Sequence, residues 1–212
     1  MTQTAAPWVP EHADIGRLKR AAVDCRGCEL WQHATQVVFS AGNPQAPLVL
    51  VGEQPGDVED RQGIPFVGPA GRLLQDALEE AGVATEDVYV TNAVKHFRFT
   101  ERGKRRIHQT PQVSHIKACL PWLQAELTVV DPTLIVCLGA TAARALLGPT
   151  FRVTKQRGEV LELATPVGVR PVLATVHPSA VLRATAEERT QAFGGLVADL
   201  RTAREAAGSR KQ

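Results

Sequence analysis

The residues GEQPGD at 52–57 follow the apolar run PLVLV and bring an acid, an amide and a second acid, Glu53, Gln54 and Asp57, to one turn. At the carboxyl end of a strand in an open α/β sheet, such a turn faces the crevice where backbone amides and a few side chains meet a small polar ligand. The same residues serve equally well as an ordinary strand-to-helix turn that needs glycine for its geometry, because short glycine motifs are common. Further chemistry lies in the CxxC pair Cys25 and Cys28, in Cys119 and Cys137 far along the chain, and in His177-Pro178-Ser179. With no export signal, metal or catalytic use of the cysteines outranks a disulfide framework. A four-cysteine zinc site is the first reading, weakened because Cys119 and Cys137 form no second close pair. Between residues 95 and 106, Lys95, Arg98, Arg102, Lys104, Arg105 and Arg106 stand against the single acid Glu101. That field attracts phosphates, although a solvated basic loop has the same composition.

These residues need a scaffold, and the apolar pattern supplies one. Short runs rich in valine, leucine and isoleucine at 48–51, 88–94, 134–138 and 172–176 read as strands. Helix-like stretches at 70–81, 112–129 and 140–147 lie between them, bounded by Gly82, Pro111 and Gly148. Strand and helix alternate, which predicts a doubly covered sheet of about four parallel strands. Residues 152–163 alternate around Arg157 and Gly158 and predict a hairpin interrupting the last crossover. Residues 14–23 read as a short first helix, and 187–206 as a closing helix followed by the polar tail GSRKQ. On this scaffold Gly52 to Asp57, Asn92 to His96, Gly139 and His177 to Ser179 all fall at strand carboxyl ends and line one crevice.

Composition bounds the rest. A chain of 212 residues, 44% hydrophobic and 22% charged, is expected to form a single domain over 1–212, with flexible ends at about 1–10 and 208–212. No apolar run approaches the roughly 20 residues of a membrane helix, and the N-terminus lacks the features of a secretory signal. A cytoplasmic protein without a membrane partner is expected, monomeric by default. The net charge of +2 does not by itself announce a nucleic-acid partner.

GEQPGD at 52–57, PFVGPAGRLL at 65–74, TNAVK at 91–95 and HPS at 177–179 together resemble the uracil-DNA glycosylase superfamily, over most of the chain from Cys25 to Ser179. The resemblance is to the iron-sulfur branch related to the family 4 enzymes, whose first motif reads GEAPG. Gln54 in place of that alanine, and the added loop KRRIH at 104–108, resemble the UdgX group, in which the glycosylase ends covalently attached to its DNA. The resemblance implies an α/β fold, a three-layer α/β/α sandwich around a central four-stranded parallel sheet. It implies uracil-containing DNA as partner, single-stranded DNA included. It also implies a [4Fe-4S] cluster held by Cys25, Cys28, His96 and Cys119, with His96 where family 4 has cysteine. Imidazole replaces thiolate on some iron-sulfur irons and raises the potential. Cys137, in an apolar strand, reads as a small buried hydrophobe, with a role as fourth ligand in place of His96 as the alternative.

By the same resemblance, Asn92 reads the uracil edge, Phe66 stacks on its face and His177 donates to O2 of the departing base; Gln54 and Asp57 complete the uracil contacts. His108 matches the UdgX nucleophile that captures C1′ of the sugar, a step that needs an unprotonated imidazole. Glu53, by its place in the turn, orients that ring or handles its proton. Lys104, Arg105, Arg106 and Ser179 are assigned to DNA phosphates. Each has a plainer alternative: a strand-end cap for Asn92, a core ring for Phe66, a satisfied histidine for His177 and backbone support for Glu53. Two other functions compete. One is a family 4-like glycosylase that releases abasic DNA. The other is an inactive iron-sulfur module that binds single strands with steep salt dependence. A nucleotide-binding protein is disfavoured because GEQPGD lacks the lysine and hydroxyl of a P-loop.

Overall fold

The structure, a computed structural model, describes residues 4–208; residues 1–3 and 209–212, which include most of the polar tail, lie outside the described residues. The strands are β1 (Ser40–Gly42), β2 (Leu48–Gly52), β3 (Val88–Asn92), β4 (Phe99–Arg102), β5 (Arg105–His108), β6 (Leu134–Leu138), β7 (Val160–Thr165) and β8 (Gly168–Thr175). The helices are α1 (Ile15–Ala22), α2 (Asp57–Gln62), α3 (Pro69–Glu80), α4 (Val113–Val130), α5 (Ala140–Leu147), α6 (Val153–Gln156), α7 (Pro178–Arg183) and α8 (Ala186–Gly208).

The central sheet has the order β1-β3-β2-β6-β8-β7. Its inner four strands are parallel, in the register Leu48↔Val88, Leu48↔Leu134 and Ile135↔Val172. Period-two alternation divides the core between the two faces. Val49, Val51, Ile135 and Cys137 face α1, α4 and α5. Leu48, Leu50, Leu134 and Val136 face α3, α7 and α8. Both faces being covered explains the uninterrupted apolar runs of β2 and β6. The three-layer α/β/α expectation therefore holds, with the four parallel strands flanked by two antiparallel edges, β1 on β3 and β7 on β8.

Three local expectations are corrected. The hairpin near residue 160 turns at Pro166 and Val167 rather than at Arg157 and Gly158. Around Arg157 the chain instead leaves α6, and Gly158, at φ 77°, donates its N–H to Ala174 O at 2.9 Å, which lays the chain onto β8. Residues 4–10, expected to be loose, pack on α4: Ala5 is buried, and its N–H reaches Ala118 O at 2.7 Å. KRRIH is no open loop either. Arg105–His108 form β5, paired antiparallel with β4 from Phe99↔His108 to Arg102↔Arg105, with Gly103 at φ 60° in the turn. The pleat sends Arg106 and His108 to one face and Arg105 and Ile107 to the other.

Candidate active site

The turn after β2 brings Asn92 and Phe66 together. A side chain at Gly52 would lie 2.3 Å from Asn92 Oδ1 and 2.7 Å from the Phe66 ring, so glycine is required for both to approach. Asn92 is buried, and its side-chain amide makes no protein hydrogen bond among the described residues. Buried amides ordinarily have partners, so this one is open to a ligand or a water. Phe66 takes the left-handed backbone conformation, φ 57°, which a bulky residue adopts only when its surroundings impose it. Gly71 of α3 imposes it by close approach: a Cβ there would lie 1.7 Å from Phe66 O. Gly71→Ala is therefore expected to displace Phe66 and slow turnover of a base substrate about tenfold, checked by single-turnover kinetics with circular dichroism as the folding control.

His177 forms the opposite wall, its ring 6.3 Å from that of Phe66 and inclined by 27°. Gly139, at φ 90°, admits it, since a Cβ there would lie 2.8 Å from His177 Cβ. Ser179 N–H donates to His177 Nδ1 at 3.1 Å, with Ser179 Oγ 2.8 Å away. An accepting Nδ1 places the proton of the neutral ring on Nε2, free to donate into the pocket. Burial pushes the imidazole pKa down to about 4, against the opposing pull of Glu53, so the ring is neutral at pH 7. Ser179, assigned to a DNA phosphate, here caps His177 and accepts from Arg183 Nη1 at 3.2 Å.

Glu53 stands between the two histidines. Its Oε1 lies 3.3 Å from His108 Nε2, and its Oε2 accepts from Thr141 Oγ1 at the start of α5. Burial alone raises its pKa, but the bonds from His108 and Thr141 and the field of both histidines outweigh that and hold it below the ordinary carboxylate value. The turn thus carries an ionised carboxylate in contact with the exposed imidazole of His108.

The hairpin presenting His108 is fastened at two points. Gln54, expected to contact uracil, spends its side chain on the hairpin's foot: Nε2 donates to Arg98 O at 3.1 Å and Gln109 O at 3.0 Å, and Oε1 accepts from Arg98 N–H at 2.9 Å. Arg106, expected on a phosphate, points inward to Asp57 at 2.5 Å and Asp60 at 2.6 Å, and also donates to Thr35 Oγ1. Asp57, expected on uracil, is taken by Arg61 and Arg106, which hold its carboxyl below the usual range although burial opposes them. Both guanidinium contacts follow from the pleat that turns Arg106 inward. Lys104 and Arg105 remain exposed at the hairpin tip.

Lys95 also leaves the expected surface field. It is fully buried, paired with Glu126 of α4 and donating to Thr91 Oγ1 at 2.5 Å and Asn92 O at 2.9 Å. Glu126 gathers Tyr89 Oη as well, at 2.8 Å. Glu126, Asp60 and Thr141 escaped sequence reasoning. Thr141 alone had a linear cue, two residues after the strand-end Gly139, whereas Glu126 lies 31 residues from its lysine.

Cys25, Cys28, His96 and Cys119 line one small cavity between the N-terminal segment, α4 and the end of β3. Lys95 N–H donates to Cys119 Sγ and Trp122 Nε1–H to Cys25 Sγ, both at 3.3 Å, while burial outweighs the Lys95 contacts and pushes the Cys119 thiol up to about 12. Cys137 does not line this cavity; it is fully buried within β6, and burial pushes its thiol up to about 12. Among the described residues no three His, Cys, Asp or Glu side chains converge as they would on a single metal ion. Among the described residues no helix is long and apolar enough to cross a membrane.

Comparison with known proteins agrees with this geometry. The family model of the uracil DNA glycosylase superfamily matches residues 39–201. The type-4 uracil-DNA glycosylase of Thermotoga maritima is 38% identical over 165 residues, covering 77% of this chain and 81% of that protein. The type-4 enzyme of Archaeoglobus fulgidus is 36% identical over 167 residues, covering 77% and 80%. A type-5 uracil-DNA glycosylase of Pyrobaculum aerophilum is 33% identical over 172 residues, covering 73% and 70%. The close approach of Gly52, Phe66, Asn92 and His177 and a match over three quarters of the chain lead to one conclusion: the chain belongs to the uracil DNA glycosylase superfamily.

Proposed function

We propose that the protein excises uracil from DNA and is then joined through His108 to C1′ of the sugar it has exposed, as in the UdgX group. The observation that carries this reading is the ionised Glu53 in contact with His108. A base flipped from the stack fits between Phe66, which stacks on its face, and Asn92, whose amide complements O4 and N3 of uracil. As the bond from C1′ to N1 breaks, its electron pair leaves on uracil and positive charge develops on the sugar. His177 Nε2–H donates to uracil O2, stabilising the anion in a preorganised site. The Glu53 carboxylate stabilises the cationic sugar and holds the Nε2 proton of His108, leaving the other ring nitrogen with a lone pair for C1′. The new C1′–N bond makes the ring an imidazolium, whose remaining N–H proton is shared with Glu53. Passing that proton to Glu53 leaves a neutral N-glycosyl imidazole, whose imidazolide is a poor leaving group, so the product persists. Lys104 and Arg105 at the exposed hairpin tip are placed for the flanking phosphates, and single-stranded DNA, already unpaired, is the easier substrate.

Cys25, Cys28, His96 and Cys119 fit a [4Fe-4S] cluster. Ligands on separate irons line a cavity rather than meet at one point, and the two N–H···S bonds suit bound thiolates. When bound, the cluster serves as a structural tie among the N-terminal segment, α4 and the chain leading to the hairpin.

The first test is a denaturing gel of the protein with a labelled single-stranded oligonucleotide carrying one uracil, beside a thymine control. A uracil-dependent band that resists heat and detergent is expected. Alkali-labile abasic DNA alone would instead mark a turnover enzyme, and unchanged DNA a binding module. A pH series adds a second expectation. His177 is neutral above about pH 4, and Glu53 is ionised above a pKa already depressed from its usual value. Acid therefore removes neither group's contribution above about pH 5, and single-turnover uracil release should stay within about twofold between pH 8 and 5.5. A steep loss of uracil release at pH 6 would refute the assignment of those two groups.

A further inference from the structure

We propose that a cleft beside the base pocket receives a neighbouring nucleotide of the same DNA strand, its phosphate on Lys19 and Arg26 and its base against the wall formed by Trp31. This rests on the reading of DNA as substrate. The cleft measures about 500 Å³ and runs from Lys19 and Arg26 to Ile64, with Trp31 and Val37 on its walls and His96 among its lining residues. That volume suits a nucleotide. No carboxylate is among its lining residues in the described chain, and Lys19 and Arg26 carry its positive charge at one end. Arg26 lies over the Trp31 ring, 4.3 Å from the centroid, and is braced by the carbonyls of Val23 and Cys25 at 3.2 and 3.1 Å. A guanidinium so held presents both charge and a π surface, the combination that grips a base and its phosphate without selecting sequence. Ile64, 48% exposed, supplies apolar contact at the rim.

Position along the chain supports the same occupant. Gly63 and Ile64 lead directly into Pro65 and Phe66 of the base pocket. Between the two sites runs α2, whose six residues span about 9 Å. Gln36, on the cleft wall, donates to Arg61 O at 2.9 Å, and Thr35 N–H meets Asp60, the carboxylate that anchors Arg106. Cleft, α2 and hairpin therefore form one connected wall, and a strand whose target base enters beside Phe66 passes the cleft on one side only.

The test uses the charge-reversed double variant Lys19→Glu/Arg26→Glu, with Lys19→Ala/Arg26→Ala as the milder pair should the first fail to fold, each checked by circular dichroism. In one arm, fluorescence anisotropy with an all-thymine single strand is expected to show at least tenfold weaker binding, with a salt dependence shallower by about 0.7, the slope of one lost phosphate contact. In the other arm, uracil oligonucleotides extended only on the 5′ side or only on the 3′ side are compared, and the variants should slow the reaction of one and spare the other. If wild type leaves uracil DNA intact yet binds thymine strands through the cleft, the glycosylase reading falls and the cleft stands. Binding and both extensions equal to wild type would overturn the cleft, as would absence of any single-strand binding by the wild type.

Discussion

His108→Ala is expected to abolish the covalent product while uracil continues to leave the DNA. The alanine removes a ring that is half exposed and holds one hydrogen-bonding contact with the site, at Glu53. The base pocket does not depend on it: Asn92, Phe66 and His177 are set by Gly52, Gly71 and Gly139. Glu53 keeps its bond from Thr141, so a carboxylate still faces the cationic sugar. Water then occupies the vacated space, and Glu53 can accept its proton, so the variant is expected to release abasic DNA and turn over. The gel that reads this carries wild type and variant with the same uracil oligonucleotide, followed by alkali. Abasic DNA without a protein adduct is the expected result. An undiminished adduct would sink the assignment of His108, and loss of uracil release together with the adduct would show that His108 also acts in bond breaking.

The scaffold was legible because each inner strand is an apolar run covered on both faces, and because helix stops such as Gly82 and Gly148 lie where the pattern predicted. The crevice followed from strand ends alone. What escaped were features decided by pairing over distance. β1 is three residues long and gains its identity from β3. The hairpin carrying KRRIH needed the pleat to show that Arg106 and His108 share a face, and composition therefore counted Arg106 and Lys95 as surface charge. Gln54 was legible as a departure from its family's pattern, but its job was not, since its partners at 98 and 109 lie more than forty residues away. The residue types announced chemistry; in the structure Gln54, Asp57, Arg106 and Ser179 bond to neighbouring protein groups.

That division makes Arg106→Ala the sharpest test of positioning. Arg106 touches neither the base pocket nor His108, yet it joins the hairpin to Asp57 and Asp60 and lies over the Phe99 ring at 4.9 Å. Without it, Asp60 is left fully buried with only the Thr35 N–H as hydrogen-bond donor, a loss of about 3 kcal/mol of stability. The hairpin remains clasped at its foot by Gln54 but loses its grip beside His108. A displacement of about 1 Å costs on the order of 10²-fold in a reaction that depends on alignment. Crosslinking is thus expected to slow by about that factor, while uracil release, which uses groups outside the hairpin, changes less than tenfold. Single-turnover measurement of both products from one reaction reads the two rates together. Arg106→Lys should recover little, because one ammonium cannot span two carboxylates as a guanidinium does. Equal losses in both products would mean that Arg106 supports the whole site rather than the nucleophile, and unchanged crosslinking would mean that Gln54 alone suffices to place His108.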